Sequence, residues 1–489
     1  MGIFAPSKNV LALLLAASGF ILIVSSLRGV VGISADSITY TSVARNLNAH
    51  GSLNAFDGDA FVDFPLGYPL LLGAIQFVTR TDPFVFGLWL NGFLFAILIY
   101  VLVCLLKEEG LDKTKSVLAG VCIVLSPALL VVYEMLWSET FFILCQGVFM
   151  AAAFHYGRTH KRTALGAMAV VAALACVTRY AGLTLVATGG LAILGDKGTK
   201  KRWGKAILFG AVSISLLGAN LIRNRLISGT LTGDRQKNYL PLSTHLHRLG
   251  GVLTEWLPPL HDFPSTYVLV ATLFIITLVG ILAWFRIIKK DSLSLFSISA
   301  LFCLLYTLFI LSTAMLTKYE GLDVRLLSPL YIPAFLGVLG WVHHKGINPR
   351  VVVIGLAILA VANAFLDVRY IKHPEIAFKR YFRYDMTTLK HSPTLEFINS
   401  HPQLFGPDTG TYSNAPDLMY IFSPGYHADY LPELNNPRDV KDFQEDHGAR
   451  LIWLNACLAY PQSYLISLEK NAEIKKEYTF PDGAVYIHP

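Results

Sequence analysis

Long apolar runs recur along most of this chain, and they limit its fold more than any other feature. About eleven stretches occupy roughly 9–30, 84–106, 115–133, 136–156, 163–178, 181–195, 204–222, 265–285, 294–316, 326–343 and 351–367. Each is near the ~20 residues that a helix needs to cross a bilayer. Lipid offers no partner to backbone N–H and C=O groups, so a spanning segment must be a helix or part of a closed barrel. The runs are continuous rather than alternating, which selects helices. Hydrophobic residues make up 54% of the chain and charged ones 15%, where soluble chains carry about a quarter charged residues. The two shortest runs, 163–178 and 181–195, also admit a single re-entrant unit. The first run has only Lys8 as a basic flank, and "ISA" before Asp36 is a poor small-residue cleavage site. It is therefore read as an uncleaved span rather than a signal peptide.

The net charge of +7 is explained by where the cations lie. With the N-terminus placed in the cytoplasm, "KEEGLDKTK", "GRTHKRT", "GDKGTKKRWGK", "FRIIKKDS" and "HHKGINPR" all become short inside loops. Every one is basic, as the positive-inside rule requires. No basic stripe with interleaved aromatics is present, so nucleic-acid binding is set aside. Five of the six cysteines, Cys104, Cys122, Cys145, Cys176 and Cys303, fall in or beside apolar runs and act there as small hydrophobes. Cys457 stands alone in a polar region, and no CxxC spacing supports a zinc or redox site.

The expected outside segments are 31–83, "YEML", "TRY", 223–264, "TKYEGLDVR" and everything after about 368. Segment 31–83 opens with a membrane-surface helix in which Tyr40, Val43, Ala44 and Leu47 follow i, i+3, i+4, i+7 spacing. "GS" at 51–52 ends it, and "PLGYPLLLGAIQFV" forms a second helix entered through Pro and Gly. The tail changes character. Short runs "TYSN", "RLIWLN" and "AVYIH" alternate with helical stretches "PTLEFINSH" and "NPRDVKDFQEDHG" between turn signals, which argues a small α/β domain. The expected organisation is a transmembrane domain over 1–368 carrying the helical loop 31–83, and an extracytoplasmic α/β domain over 369–489.

Candidate chemistry gathers on the outside. Asp36 follows the first span directly and reads either as a general base at the mouth of the bundle or as the N-cap of the helix after it. Glu134 and Glu139 lie in the tight turn "YEMLWSETFF". An ionisable group at a span end is a functional candidate, although Glu139 can also cap a helix or reach water. Arg45, Arg179, Arg223, Arg225, Lys318 and Arg325 occupy the face that positive-inside bias should deplete. Guanidinium forks match phosphate oxygens, and six such cations favour an anionic ligand over snorkelling to headgroups. Outside aromatics, among them Tyr40, Phe61, Phe64, Tyr68, Trp137 and Tyr180, suit an interface belt, with a minority free to stack on a sugar. His245 and His247 with Asp59 and Asp63 form a weak metal pattern, and ordinary loop histidines are preferred.

Taken in order, "ADSITYTSVARNL", "FPLGYPLLLGA", "WSETFF", "TRYAGL", "LIRNRLISG" and "DVRLLSPLYIP" resemble the lipid-dependent GT-C glycosyltransferases, in particular the protein O-mannosyltransferase and aminoarabinose-transferase branch. The tail, with "TYSNAPDLMYIF" and "FPDGAVYIHP", is similar to the terminal α/β domain of many bacterial members. The resemblance implies an enzyme of the plasma membrane that moves a sugar from a polyprenyl-phosphate donor to a glycan, lipid or protein acceptor on the outside face, with inversion. It maps the catalytic base onto Asp36 and a second acidic residue onto Glu139. Arg179, Arg223, Arg325 and Lys318 would hold the donor phosphate. Tyr40, Arg45, Asp63, Tyr68 and Glu134 would line the substrate site. Two features depart from the family pattern. The usual acidic pair after the first span is here "DS", and the proline-rich patch is "FPLGYP", with Asp63 as the substitute for its charged partner. A divalent metal is therefore left open. The rival readings are a polysaccharide ligase or polymerase using diphosphate-linked donors, a lipid-linked sugar transporter, and a scaffold presenting the tail domain. Transport is disfavoured because the run centres are almost free of charge.

Overall fold

The computed structural model describes the chain except residues 1–8, 27–30, 234, 236, 257–265, 289–292, 318–320, 373–388, 406–409, 424–425, 427, 433, 435–436, 456–461, 472–473 and 489. The chain divides into two compact units. The first comprises Met1–Val31, Val62–Leu71 and Thr81–His373, and the second Gly32–Phe61, Leu72–Arg80 and Pro374–Pro489.

The helices of the first unit follow the apolar runs: α1 (Val10–Ser25), then, past α2 (Ala35–His50) and the short α3 (Gly67–Thr79), α4 (Pro83–Glu109) and α5 (Lys113–Val124). They continue as α6 (Pro127–Tyr133), α7 (Ser138–Thr159), α8 (Arg162–Thr178), α9 (Leu183–Gly195), α10 (Arg202–Ser228) and α11 (Leu242–Glu255). The last are α12 (Tyr267–Ile288), α13 (Leu295–Leu316), the single turn α14 (Val324–Leu327), α15 (Tyr331–His344) and α16 (Pro349–Lys372). Among the described residues six helical stretches are long and apolar enough to cross a membrane, and a seventh forms if α5 and α6 are one bent span. The remaining expected runs fall on the shorter apolar helices α1, α8 and α9 and on the Tyr267–Val279 part of α12. The protein is multi-pass.

Local chemistry sets the helix ends. Asp82 accepts from Phe84 N at 3.0 Å ahead of Pro83, and α4 ends where Gly110 takes φ 106°. Asp112 caps α5 through Lys115 N at 3.0 Å. Pro127 has no N–H to continue the ladder, and the chain bends by 51° between α5 and α6. The interior is aromatic and aliphatic, with Phe95, Phe142, Phe149, Tyr156 and Phe302 fully buried. Helix α16 instead presents Ile354, Ile358, Val361 and Phe365 outward. That i, i+4, i+7, i+11 stripe is what lipid contact requires. The cysteines Cys104, Cys122, Cys145, Cys176 and Cys303 are buried and free, as their apolar settings led us to expect.

In the second unit the tail folds as α17 (Pro393–Ser400), β1 (Thr411–Ser413), α18 (Pro416–Phe422), β2 (Asp429–Tyr430), α19 (Pro437–Glu445), β3 (Arg450–Leu454), α20 (Gln462–Asn471), β4 (Lys475–Phe480) and β5 (Gly483–Ile487). The sheet runs β2-β1-β3-β5-β4. Strand β1 is parallel to β2 and β3, while β5 is antiparallel to β3 and β4. Leu431, Phe443, Leu451, Trp453, Leu465, Leu468 and Tyr486 form its core. Helix α2 belongs to this unit. Arg45 lies over the Tyr420 ring at 5.7 Å, and Phe56 packs against Tyr420 and Tyr430.

Candidate functional site

The turn between α6 and α7 brings Glu139 into the first turn of α7, where the helix N-terminus favours negative charge. Its side chain has 0% exposure. A buried carboxylate is tolerated only when its charge is matched, and two arginines match it. Arg179 stands at the end of α8 with extended backbone, φ −150°, ahead of a 3-10 turn over Tyr180–Gly182 that leads into α9. Gly182 makes this reversal tight enough that a Cβ there would lie 2.4 Å from Cys176 N. Arg325 sits in α14, whose N-cap Asp323 accepts from Leu326 N at 3.0 Å.

The two guanidinium groups converge on one carboxylate oxygen. Arg179 Nη1 is 2.7 Å and Arg325 Nε 2.6 Å from Glu139 Oε1. Arg179 also donates to Ser138 Oγ at 2.9 Å, and Ser138 donates to Glu139 Oε2 at 3.4 Å. The Arg325 guanidinium lies 4.5 Å from the Trp137 ring centroid, a cation–π contact that fixes its plane. Ser328 Oγ and Tyr306 Oη bond the carbonyls of Arg325 and Leu326, so backbone and head group are both held. Arg179 retains 17% and Arg325 16% side-chain exposure. Both guanidinium groups thus keep an exposed edge, with the Glu139 carboxylate underneath. Burial, and then the nearby Glu139 charge, hold the Asp323 carboxyl above the ordinary carboxylate range, against the pull of Arg325.

The proline-rich patch packs behind Arg179. Gly67 lies so close to the end of α8 that a Cβ would come within 2.6 Å of Val177 O, and Tyr68 beside it is fully buried. Asp63 is exposed; its carboxyl rests against Gly233, and the Arg235 side chain donates to its carbonyl and lies 5.7 Å over Phe64. Arg223 donates to Asn224 Oδ1 at 3.0 Å, and Asn224 in turn holds the carbonyls of Val62 and Leu231. Glu134 is the half-buried C-cap residue of α6. Lys318 lies outside the described residues.

In the second unit Asp36 is half-buried in the first turn of α2. The N-cap is Ser34, whose N–H donates to Ser37 Oγ at 3.1 Å, so the capping role considered for Asp36 belongs to Ser34. The alternative in which Glu139 reaches water also fails, because its two arginines enclose it. Tyr40 is buried edge-on to Phe61, and Arg45 is taken up by Tyr420. No group of three or more His, Cys, Asp or Glu among the described residues could hold a metal ion. His245 instead meets Asn238 Nδ2 at 2.8 Å, and its burial, then Arg248, lower its pKa.

The sequence alone did not single out Ser138, Asp323 or Arg235, and it placed Trp137 in an interface belt. Asp323 lies two residues before Arg325 in "GLDVR", where the N-cap rule points to it. Ser138 and Trp137 adjoin Glu139 in the sequence, but only the fold turns them toward Arg179 and Arg325.

Against solved structures, the chain matches ArnT from Cupriavidus metallidurans bound to undecaprenyl phosphate with a TM-score of 0.57 at 13% identity, over 99% of this chain and 98% of that one. The mycobacterial arabinofuranosyltransferase AftD matches at 0.54 and 13% identity, over 98% of this chain and 41% of AftD. The Archaeoglobus fulgidus oligosaccharyltransferase AglB, in complex with an inhibitory peptide and a dolichol-phosphate, matches at 0.50 and 10% identity, over 99% and 75%. The chain has the GT-C fold. No family model and no curated protein sequence matches it. The likeness to ArnT runs from end to end of both chains and so takes in the tail sheet as well as the helices.

Proposed function

We propose that this GT-C-fold protein is an inverting glycosyltransferase that moves a sugar from a polyprenyl-phosphate donor to a glycan, lipid or protein acceptor on the extracytoplasmic face of the plasma membrane. The observation that carries the reading is the pair of arginines held rigidly on one buried carboxylate. ArnT, with the same fold, was solved with undecaprenyl phosphate, and a pair of fixed guanidinium groups suits that phosphate. Arg179 and Arg325 take the donor phosphate and stabilise the negative charge it gains as the bond to the sugar breaks. Glu139 is a positioning residue that keeps both forks in place. Arg223 and Lys318 add to the cationic field around the departing phosphate.

Asp36 is the base. It removes a proton from the acceptor hydroxyl or amine, which attacks the anomeric carbon from the face opposite the phosphate. The bond from anomeric carbon to phosphate oxygen breaks, its electrons stay on the phosphate, and the proton stays on Asp36. In this reading the N-terminus is cytoplasmic, the eleven apolar runs are spans, and both 31–83 and the tail domain lie outside.

The test separates binding from chemistry. Undecaprenyl phosphate is titrated against the purified protein by native mass spectrometry. Arg179→Gln and Arg325→Gln should each weaken binding about tenfold or more, the worth of a charge-assisted contact. Asp36→Asn should bind like the wild type and lose transfer from a polyprenyl-phosphate sugar by at least about a hundredfold. Wild-type lipid binding in both arginine variants would remove the phosphate site, and wild-type transfer by Asp36→Asn would remove the base.

A further inference from the structure

A second cationic site lies at the other end of α7. That helix carries Glu139 in its first turn and Thr159 at its end, and its 22 residues span about 33 Å at 1.5 Å per residue. Beyond it, the loop joining α9 to α10 forms an open cavity of about 370 Å³, lined by Lys197, Thr199, Lys201, Arg202, Trp203 and Gly204. The loop is braced from within. Asp196 accepts from Thr199 Oγ1 at 2.6 Å and from Gly198 N at 3.0 Å, and lies 3.4 Å from His160 Nδ1. Thr199 Oγ1 also meets Tyr156 Oη at 3.3 Å. The loop's one carboxylate is therefore spent on holding its shape. Lys197, Lys201 and Arg202 form no ion pair with any described residue.

We propose that this cavity binds the phosphate headgroup of an anionic membrane lipid. Positive-inside bias accounts for basic residues in such a loop, but not for three unpaired cations around one braced cavity. The surroundings favour a lipid over free phosphate. Trp203 stands at the rim with 65% of its surface exposed, the position of an interfacial anchor. From it the outward face of α10 continues as exposed Ile207 and Leu208, and Leu191 of α9 is exposed as well. A headgroup in the cavity would leave its acyl chains beside that apolar face. The start of α10 adds its partial positive charge to the three side chains. In the orientation proposed above, this is the cytoplasmic leaflet, where anionic lipids give the membrane surface its negative potential.

Native mass spectrometry of the detergent-purified full chain tests the site, with phosphatidylglycerol, phosphatidylcholine and inorganic phosphate as separate probes. The wild type should retain phosphatidylglycerol over phosphatidylcholine. The triple variant K197Q/K201Q/R202Q should lose roughly a hundredfold in phosphatidylglycerol affinity, about fivefold per cation, while its weak phosphatidylcholine binding stays unchanged. Hydrogen exchange on the unmodified protein provides a readout that does not depend on the variant folding. Phosphatidylglycerol should slow exchange across 196–205, and phosphatidylcholine should not. Equal phosphatidylglycerol binding by wild type and variant, or protection confined to other segments, would overturn the proposal. Protection by millimolar inorganic phosphate equal to that given by the lipid would assign the cavity to a free anion and overturn it as a lipid site.

Discussion

A carboxylate with no exposed surface survives at a span end only if its charge is answered nearby, and Glu139 is answered twice. The cost of burying it is met by holding two guanidinium groups where an anion can reach them. Each of these three residues stood out in the sequence by type and position. Their partnership did not, because Arg325 is separated from Glu139 by 186 residues and no local periodicity spans that distance. Asp323 was passed over for the opposite reason: it looks like an ordinary helix cap, and it is one. Its chemistry comes from burial and the nearby Glu139 charge, which raise its pKa. A carboxyl whose folded-state pKa is raised favours the native state in its protonated form. That contribution is complete below the unfolded value, about 4, and is lost as pH rises through the higher folded value. Asp323→Asn keeps the cap, since Asn serves as well as Asp there, and has no proton to lose. Thermal unfolding followed from about pH 4 to pH 8 should show the variant equal to the wild type at the acid end and more stable at the neutral end. A wild type that gains on the variant as pH rises would contradict the assignment.

Among elements, α3 shows how a pattern read as a helix start also does positional work. "FPLGYP" marks a helix entered through Pro and Gly, and α3 begins at Gly67. What the pattern does not convey is that Gly67 abuts the α8 carbonyl at Val177, two residues ahead of Arg179. Gly67→Ala must push that backbone aside. It is expected to cost about 1–3 kcal/mol and to weaken undecaprenyl-phosphate binding through the displaced Arg179. Gly73→Ala, in the same helix, meets a flexible Leu47 methyl at 3.1 Å and otherwise only ordinary contacts at 3.7 Å, and should be close to neutral. Thermal melts and lipid titration of both variants decide the matter; equal behaviour would dissociate Gly67 from the site. The same contrast separates what was readable in the tail. The buried β3 and β5 announced themselves as apolar runs, and β1 as the short run "TYSN" between turn signals. Strand β4, "KKEYTF", lies at the sheet edge, where lysines guard against further pairing and hide the alternation. Strand β2 is two residues long, too short to carry a period at all.

At the scale of the whole molecule, the apolar runs fix a multi-pass helical protein, and the loop charges imply an orientation that can be tested directly. The expected inside loops are short and basic, because moving cations across the bilayer is disfavoured during insertion. In the expected orientation the arginines of the candidate site would break that bias, as side chains held by a specific carboxylate can. Two cysteine probes report the two faces. Lys200 is exposed on the α9–α10 loop and Ile466 is exposed on α20 of the tail. The described native cysteines are all buried, so they should stay silent, and Cys457→Ser removes the sixth. In that background a membrane-impermeant maleimide applied to intact spheroplasts should label Ile466→Cys. Lys200→Cys should be labelled only after the membrane is opened. The reverse pattern would put the α9–α10 cavity outside and the Glu139 cluster inside. A donor sugar would then have to be taken from the cytoplasmic leaflet, and both the extracytoplasmic transfer and the anionic-leaflet argument would fall together.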